Sequence, residues 1–382
     1  MKDVFLIDDS IISPLGFTTS ENLKALREGR SGLQYLENLK LPTGGYYAGK
    51  INDQILSRAF AGLGDPLSFT RLEQMMILAI SQLIKNNPGI DIGTTGLIIS
   101  TTKGNIDILE EKTDLPKDRV YLSKLGEVLA EFFGFSKPII VSNACISGGL
   151  ALVVAKRLIN TERFSNVIVV GGDIVSEFVV SGFQSFMALS PGICSPFSID
   201  RNGINLGEAA AAVLVSSTPG FSRDTIVLKG EGSANDANHI SGPSRTGEGL
   251  YRSIGLALQT AEISPGEIGY ISAHGTGTIY NDEMEAIAFH RSGLGEVPVN
   301  SLKAYYGHTL GASALLESII TAHSLLNKEV FESLNFTECG TSKPLNIVRK
   351  YRKNKMKYAM KVSSGFGGCN LALIFEKTGH GI

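Results

Sequence analysis

An excess of charge of one sign is missing from this sequence. Its 382 residues carry 35 Lys and Arg against 37 Asp and Glu, a formal charge of −2. The strongly basic surface on which phosphate-backbone binding depends is therefore absent, and no nucleic-acid partner is expected. Cysteine is scarce too: Cys145, Cys194, Cys339 and Cys369 lie far apart and form no Cys-x-x-Cys pair. That speaks against a zinc site or a dithiol redox motif and for reduced thiols in a cytoplasm, so no metal is expected. No run reaches the ~18 apolar residues of a membrane span. The N-terminal Met-Lys-Asp-Val-Phe-Leu-Ile-Asp-Asp also breaks the apolar stretch a signal peptide needs. The expectation is a cytoplasmic protein with no membrane partner.

Glycine and short β-branched runs are abundant. The 43 glycines call for many tight turns and close backbone approaches. Strand-like runs at Val4 to Ile7, Gly96 to Ser100, Ile139 to Val141, Val167 to Gly171, Ala211 to Val215, Gly269 to Ser272 and Leu371 to Phe375 alternate with helix-like stretches such as Leu72 to Leu83 and Leu150 to Ile159. This predicts an α/β fold whose sheets are covered on both faces. A weak echo links residues 207–215 with 367–375, and the polar stretch Ser216 to Asp224 reads as a seam between two halves. One basic run, residues 349–357, is either a solvated loop or a patch for an acidic partner.

Four segments carry candidate chemistry. In Pro138-Ile-Ile-Val-Ser-Asn-Ala-Cys145-Ile-Ser-Gly-Gly, a buried strand turns into an apolar helix with Cys145 at the elbow. A thiol facing a helix N-terminus is expected to be a thiolate near neutral pH; a small buried cysteine is the alternative. In Ile271-Ser-Ala-His274-Gly-Thr-Gly-Thr278-Ile-Tyr-Asn-Asp282-Glu-Met-Glu285, a strand ends in His274 and the hydroxyls of Thr276 and Thr278 follow. A helix is predicted from Asp282, with Glu285 closing a capping box. In Ser301-Leu-Lys303-Ala-Tyr-Tyr-Gly-His308, strand-like residues lead to His308 and then to a helix bearing Glu317. A lysine in apolar surroundings needs a carboxylate, so a Lys303–Glu317 pair is expected unless both are solvated. The last segment, Ser363-Ser-Gly365-Phe-Gly-Gly-Cys-Asn370, is a glycine-rich turn that matches neither the P-loop nor the dinucleotide pattern.

Together these segments resemble the β-ketoacyl synthases of the thiolase superfamily. The likeness runs along nearly the whole chain, through Ile12-Ser-Pro-Leu-Gly16, Ala144-Cys145, Gly171-Gly172, Asp200-Arg-Asn-Gly203, Gly207-Glu208, Asp236-Ala-Asn-His239, His274-Gly-Thr-Gly-Thr278, Gly307-His308 and Gly365-Phe-Gly-Gly368. The resemblance implies a thiolase fold, two duplicated α/β halves in a five-layer αβαβα sandwich. Residues 1–220 would carry the nucleophile and 221–382 both histidines. It implies a decarboxylative Claisen condensation of an acyl thioester on Cys145 with malonyl-acyl carrier protein (ACP), lengthening the chain by two carbons in fatty acid or specialised polyene or polyketide synthesis.

Each site residue has an implied role. Cys145 is the nucleophile, and His274 and His308 assist decarboxylation and hold the enolate oxygen. Lys303 and Glu317 set the histidines' electrostatics. Phe366 gates the site and shares an oxyanion hole with Cys145 through backbone N–H groups, while Thr276 and Thr278 bind the phosphopantetheine arm of ACP. No further cofactor is implied. Histidine at position 308 indicates the elongating class rather than the chain-initiating one. A dimer is expected, with itself or with a related ketosynthase chain, paired along a strand near Val167 to Val170. Ser364, Cys369, Ile146 and Met187 depart from common relatives and bear on substrate and carrier preference. The competing function is a non-catalytic partner like the chain-length factors, against which the intact Cys145, His274 and His308 argue. A non-decarboxylating thiolase-type transferase lacks its second catalytic cysteine here.

Overall fold

A computed structural model describes residues 2–38, 44–110, 113–220, 224–236 and 242–379. His239, and the 221–223 part of the seam predicted at 216–224, lie outside the described residues. Ten strands form the framework: β1 (Phe5–Ile12), β2 (Gly96–Ser100), β3 (Ile139–Val141), β4 (Asn166–Asp173), β5 (Ala209–Ser216), β6 (Asp224–Asn235), β7 (Ile268–Ser272), β8 (Val299–Asn300), β9 (Tyr358–Gly365) and β10 (Cys369–Gly379). Five helices matter for the site: α1 (Arg71–Asn86), α2 (Ser147–Asn160), α3 (Glu248–Ala261), α4 (Ile279–Arg291) and α5 (Ser313–Asn327).

Strand order runs β8-β7-β9-β10-β6-β1-β5-β4-β2-β3. Cut between β6 and β1, this is one pattern written twice, 3-2-4-5-1 and 8-7-9-10-6. The pairing senses repeat as well: β2 is parallel to β3 and β4, while β5 is antiparallel to β4 and β1. In the same way β7 is parallel to β8 and β9, and β10 is antiparallel to β9 and β6. The two halves of the sheet join where Phe5 and Leu6 pair with Val227 and Ile226 and the Leu228 N–H donates to the Val4 carbonyl at 2.9 Å. The echo of 207–215 in 367–375 falls on β5 and β10, which are equivalent strands.

Helices complete five layers. Side chains of α1 and of the helix Leu122–Phe133 cover the outer face of the first sheet, and those of α3 and α4 cover the outer face of the second. Between the sheets α2 and α5 lie against each other in a shared core. Strands covered on both faces need no polar alternation, and all eight residues of β5 are buried. A capping box fixes the start of α1: Thr70 Oγ1 accepts from the Glu73 N–H, and Glu73 accepts from the Thr70 N–H. Close contact of the central helices depends on Gly148, where a Cβ would lie 2.7 Å from the Leu315 backbone nitrogen.

One expectation is corrected by the register. The strand near Val167 to Val170 is β4, which is hydrogen-bonded on both sides, to β2 and β5. It has no edge to offer a partner chain. The outer strands of the framework are β3 and β8.

Candidate active site

The chain turns from β3 into α2 through Ala144, whose φ of +44° is a left-handed conformation rarely held by a residue with a Cβ. Ser147 fixes the turn, donating its hydroxyl to the Ala144 carbonyl at 2.6 Å and accepting the Asn143 N–H at 2.8 Å. The elbow aims Cys145 into a cleft while leaving it only 7% exposed. Here the expected low-pKa thiolate is corrected: burial, with Cys369 nearby, pushes the Cys145 thiol up to about 12 despite Lys303 and the Phe366 N–H that points at its sulfur. The resting sulfur therefore carries its proton. His308 Nε2 stands 2.9 Å away.

His308 follows β8 as Cys145 follows β3. Its N–H donates to the Asn205 carbonyl at 2.7 Å and its carbonyl accepts the Gly207 N–H at 3.0 Å. Just beyond, the Gly311 N–H is held at 2.7 Å by buried Asp173, which also accepts from Thr101 and Thr102. The His274 ring lies edge-on to His308, centroids 5.2 Å apart. One ligand atom from each of Cys145, His274 and His308 lies within 4.8 Å of the others. Burial, reinforced by the ammonium groups of Lys303 and Lys361, holds both imidazoles well below the ordinary histidine range, so both are neutral.

The loop carrying His274 is not capped as predicted. Helix α4 starts at Ile279, three residues before Asp282, and makes no side-chain cap bond at Thr278. Asp282 and Glu285 turn back instead. Asp282 accepts the N–H groups of Thr276 (3.0 Å), Gly277 (3.3 Å) and Phe197 (2.7 Å), and Glu285 accepts those of His274 and Gly275, both at 2.7 Å. Burial raises Asp282 to about 6 and pushes Glu285 up as well.

Residues around Lys303, read as strand-like, form a one-turn helix, Lys303–Tyr306. Lys303 is wholly buried and pairs with Glu317 as expected. A second buried lysine, Lys361, lies 2.5 Å from the other oxygen of Glu317. Burial opposes the Glu317 carboxylate, but the two lysines more than offset it and hold the group below the usual range. Lys361, Asp173, Asp282 and Glu285 were not legible as site residues from motif spacing. For Lys361 the available signal was a lone cation inside the apolar run Tyr358-Ala-Met-Lys-Val.

The cleft measures about 510 Å³. Thr276 and Thr278 line its wall with their hydroxyls 2.8 Å apart. Phe366 stands at its side, stacked on Phe183 at 5.6 Å and edge-on to Phe186 at 5.4 Å. The turn it rides on needs Gly368, at φ +80°, where a Cβ would strike the Asp236 carbonyl at 2.1 Å. Met187, 90% exposed, projects from the rim. The basic run at 349–357 lies away from the cleft lining, and much of it is engaged internally: Lys353 with Glu329, Lys357 with Glu376, and Arg349 over the Phe336 ring.

Comparison with known proteins converges on one family. The pattern described as "Beta-ketoacyl synthase, N-terminal domain" matches residues 102–219 and that of "Beta-ketoacyl synthase, C-terminal domain" matches 225–337, together more than half of the chain. The chain is 28% identical to 3-oxoacyl-[acyl-carrier-protein] synthase 2 of Vibrio harveyi, over 96% of each. Among solved structures it is similar to a chain of a ketosynthase in complex with its chain length factor from Xenorhabdus doucetiae, with TM-score 0.85, 26% identity, and 99% of this chain and 98% of that one covered. It is also similar to the ishigamide ketosynthase/chain length factor, with TM-score 0.89, 25% identity, and 99% and 100% covered. Among the described residues no helix is long and apolar enough to cross a membrane. A thiol and two neutral imidazoles brought together across two duplicated halves, on a chain matched by both domain patterns, identify it as a member of the β-ketoacyl synthase family.

Proposed function

We propose that this chain is an elongating β-ketoacyl-ACP synthase. The observation that carries this reading is the meeting of Cys145, His274 and His308 within 4.8 Å at a cleft. In the first half-reaction His308 Nε2 takes the proton of the Cys145 thiol as its sulfur attacks the acyl thioester. The oxyanion that forms is held by the backbone N–H groups of Cys145 and Phe366. The imidazolium then returns its proton to the departing phosphopantetheine thiolate. In the second, malonyl-ACP loses carbon dioxide, and the enolate oxygen is held by the two histidines. The enolate carbon attacks the Cys145 thioester, giving a ketoacyl-ACP two carbons longer and expelling the Cys145 thiolate, which takes up one proton from solvent to restore the thiol. Two preorganised donors at one oxygen stabilise the enolate as its charge develops.

In this reading Thr276 and Thr278 bind the phosphopantetheine arm, and Phe366, mobile against Phe183 and Phe186, opens and closes access to Cys145. Lys303 and Glu317 set the field around the imidazoles. The only prosthetic chemistry is the arm that ACP brings. The setting is a cytoplasm, and the working unit is a dimer with a second copy or a related chain; solved relatives include ketosynthase and chain length factor complexes. The intact thiol and histidines support catalysis over a chain-length-factor role.

Intact-protein mass after incubation with acyl- and malonyl-carrier proteins of several chain lengths tests this. Wild type should gain the acyl mass and Cys145→Ala should not, and a ketoacyl product two carbons longer should follow. No acylation from any donor would move the chain to the non-catalytic class.

A further inference from the structure

Lys361 has no task in the mechanism above. It lies within β9, 1% exposed, with apolar Met360 and Val362 beside it. Its ammonium donates to the carbonyls of Ala273 at 3.0 Å and Ser272 at 3.3 Å. These are the last two carbonyls before His274, where β7 ends beside β9 with Ser272 paired to Lys361. On the other side Glu285 takes the N–H groups of His274 and Gly275. The backbone that carries the imidazole is thus gripped from both directions.

The charge count is also unusual. Lys303 and Lys361 share the Glu317 carboxylate, and the other acidic neighbour of Lys361 is Glu285, whose ionisation burial opposes. A buried cluster of this kind is costly to assemble, and such clusters concentrate at functional sites. The groups facing Lys361 are Glu317 from α5, Lys303 from its one-turn helix, Glu285 from α4, and the imidazoles of His274 and His308; from β10 its paired residue is apolar Leu373.

We propose that Lys361 is a positioning residue for the malonyl half-reaction, fixing His274 through the carbonyls before it and supplying buried positive charge toward the enolate. This rests on the condensing-enzyme reading and deepens it. Acylation of Cys145 uses His308 and the Phe366 N–H; Lys361 reaches His308 only through its charge but grips the backbone of His274 directly, so decarboxylation should depend on Lys361 more steeply than acylation does.

The test uses enzyme already acylated on Cys145, so that the thiol does not titrate, and follows carbon dioxide release from malonyl-ACP across pH for wild type, Lys361→Met and Lys361→Arg. Burial lowers the proton affinity of Lys361 from its ordinary 10.5. The protonated form is the active one, so wild-type decarboxylation should fall as pH rises, with a midpoint below that value. Lys361→Met should lose about 10- to 100-fold in decarboxylation, as misplacement of a reacting group costs, and lose the alkaline decline, while acylation changes several-fold less. Lys361→Arg should restore part of the rate and move the decline beyond the lysine range, since a guanidinium keeps its proton. An unchanged rate and pH profile in Lys361→Met would overturn the inference, as would equal loss of both half-reactions with the decline in place. If Lys361→Met does not fold, an unmoved decline in Lys361→Arg overturns it. Wild type that acylates but releases no carbon dioxide fails the condensing-enzyme reading itself, an outcome distinct from any behaviour of the variants.

Discussion

Cys145 holds its proton at rest, and that sets its reactivity. With the thiol pushed up to about 12, alkylation of Cys145 by iodoacetamide should climb steadily across pH 7 to 10 rather than level off near the ordinary cysteine value of ~8.5. His308→Ala, which removes the imidazole at 2.9 Å, should slow Cys145 acylation by acyl-ACP about 100-fold or more, in line with loss of a general base; rapid-quench mass spectrometry measures it.

Asp282 gives an acid-side prediction with two opposite signs. Its carboxylate form holds the His274 loop, so kcat/KM should fall as pH drops through about 6, where buried Asp282 takes up its proton. Both histidines titrate well below their usual range and stay neutral there. Linkage runs the other way for the fold. A carboxyl whose folded-state pKa is raised from 3.8 binds its proton more tightly when folded, so its contribution to stability is present at low pH and is lost as pH rises through about 6. Asp282→Asn should shift and narrow the acid limb, leaving the part carried by neighbouring Glu285, and thermal melts of the wild type should show no Asp282-linked destabilisation across that limb.

At this scale the sequence was readable where a residue's type already named its chemistry. Cys145, His274, His308 and the Lys303–Glu317 pair are residues of that kind. Lys361, Asp173 and Glu285 act through backbone groups of other segments, and strand register brings those groups together. Motif spacing does not contain register. Burial opposes the Cys145 thiolate that a helix N-terminus favours, and of the two only the helix N-terminus is visible in sequence.

Among elements, the α2–α5 contact leaves no room at Gly148. Gly148→Val would push a side chain into the Leu315 backbone, where even a Cβ would lie 2.7 Å from nitrogen. We expect a loss of about 1–3 kcal/mol, the cost of overpacking a filled core, read as a lower urea midpoint, with Cys145 acylation also reduced because α2 carries the elbow. Periodicity locates α1, α2 and seven of the framework strands, and passes over β6, β8 and β9, whose runs are interrupted by polar residues or too short to show a period. It misplaced the start of α4, because an aspartate followed by glutamate at i+3 fits a capping box as well as it fits two carboxylates folded back on a loop, and Thr278 is an equally good N-cap residue. Lys303–Tyr306 read as a strand because one helical turn is too short for a 3.6-residue period to register.

For the whole molecule, the outer strand of the first half bears on assembly. β3 is three residues long and pairs with β2 on one side. An edge of this kind is where a second chain would extend the sheet. Light scattering should therefore report a dimer for the wild type and a monomer for Ile140→Pro; a dimer in both would put the seam elsewhere. The α/β class and the repeat were legible from alternating runs and one echo. The edge was not, because an apolar run such as β4 reads the same whether its neighbours belong to its own chain or to another.

The strand pattern written twice sets up the contact at the centre of the site. Cys145 lies between β3 and α2, and His308 between β8 and α5, which are the same place in the two copies. The chain fills one of these matching positions with sulfur and the other with imidazole. The 2.9 Å contact between them is therefore an asymmetry laid over a symmetric scaffold, and neither half holds a working centre without the other.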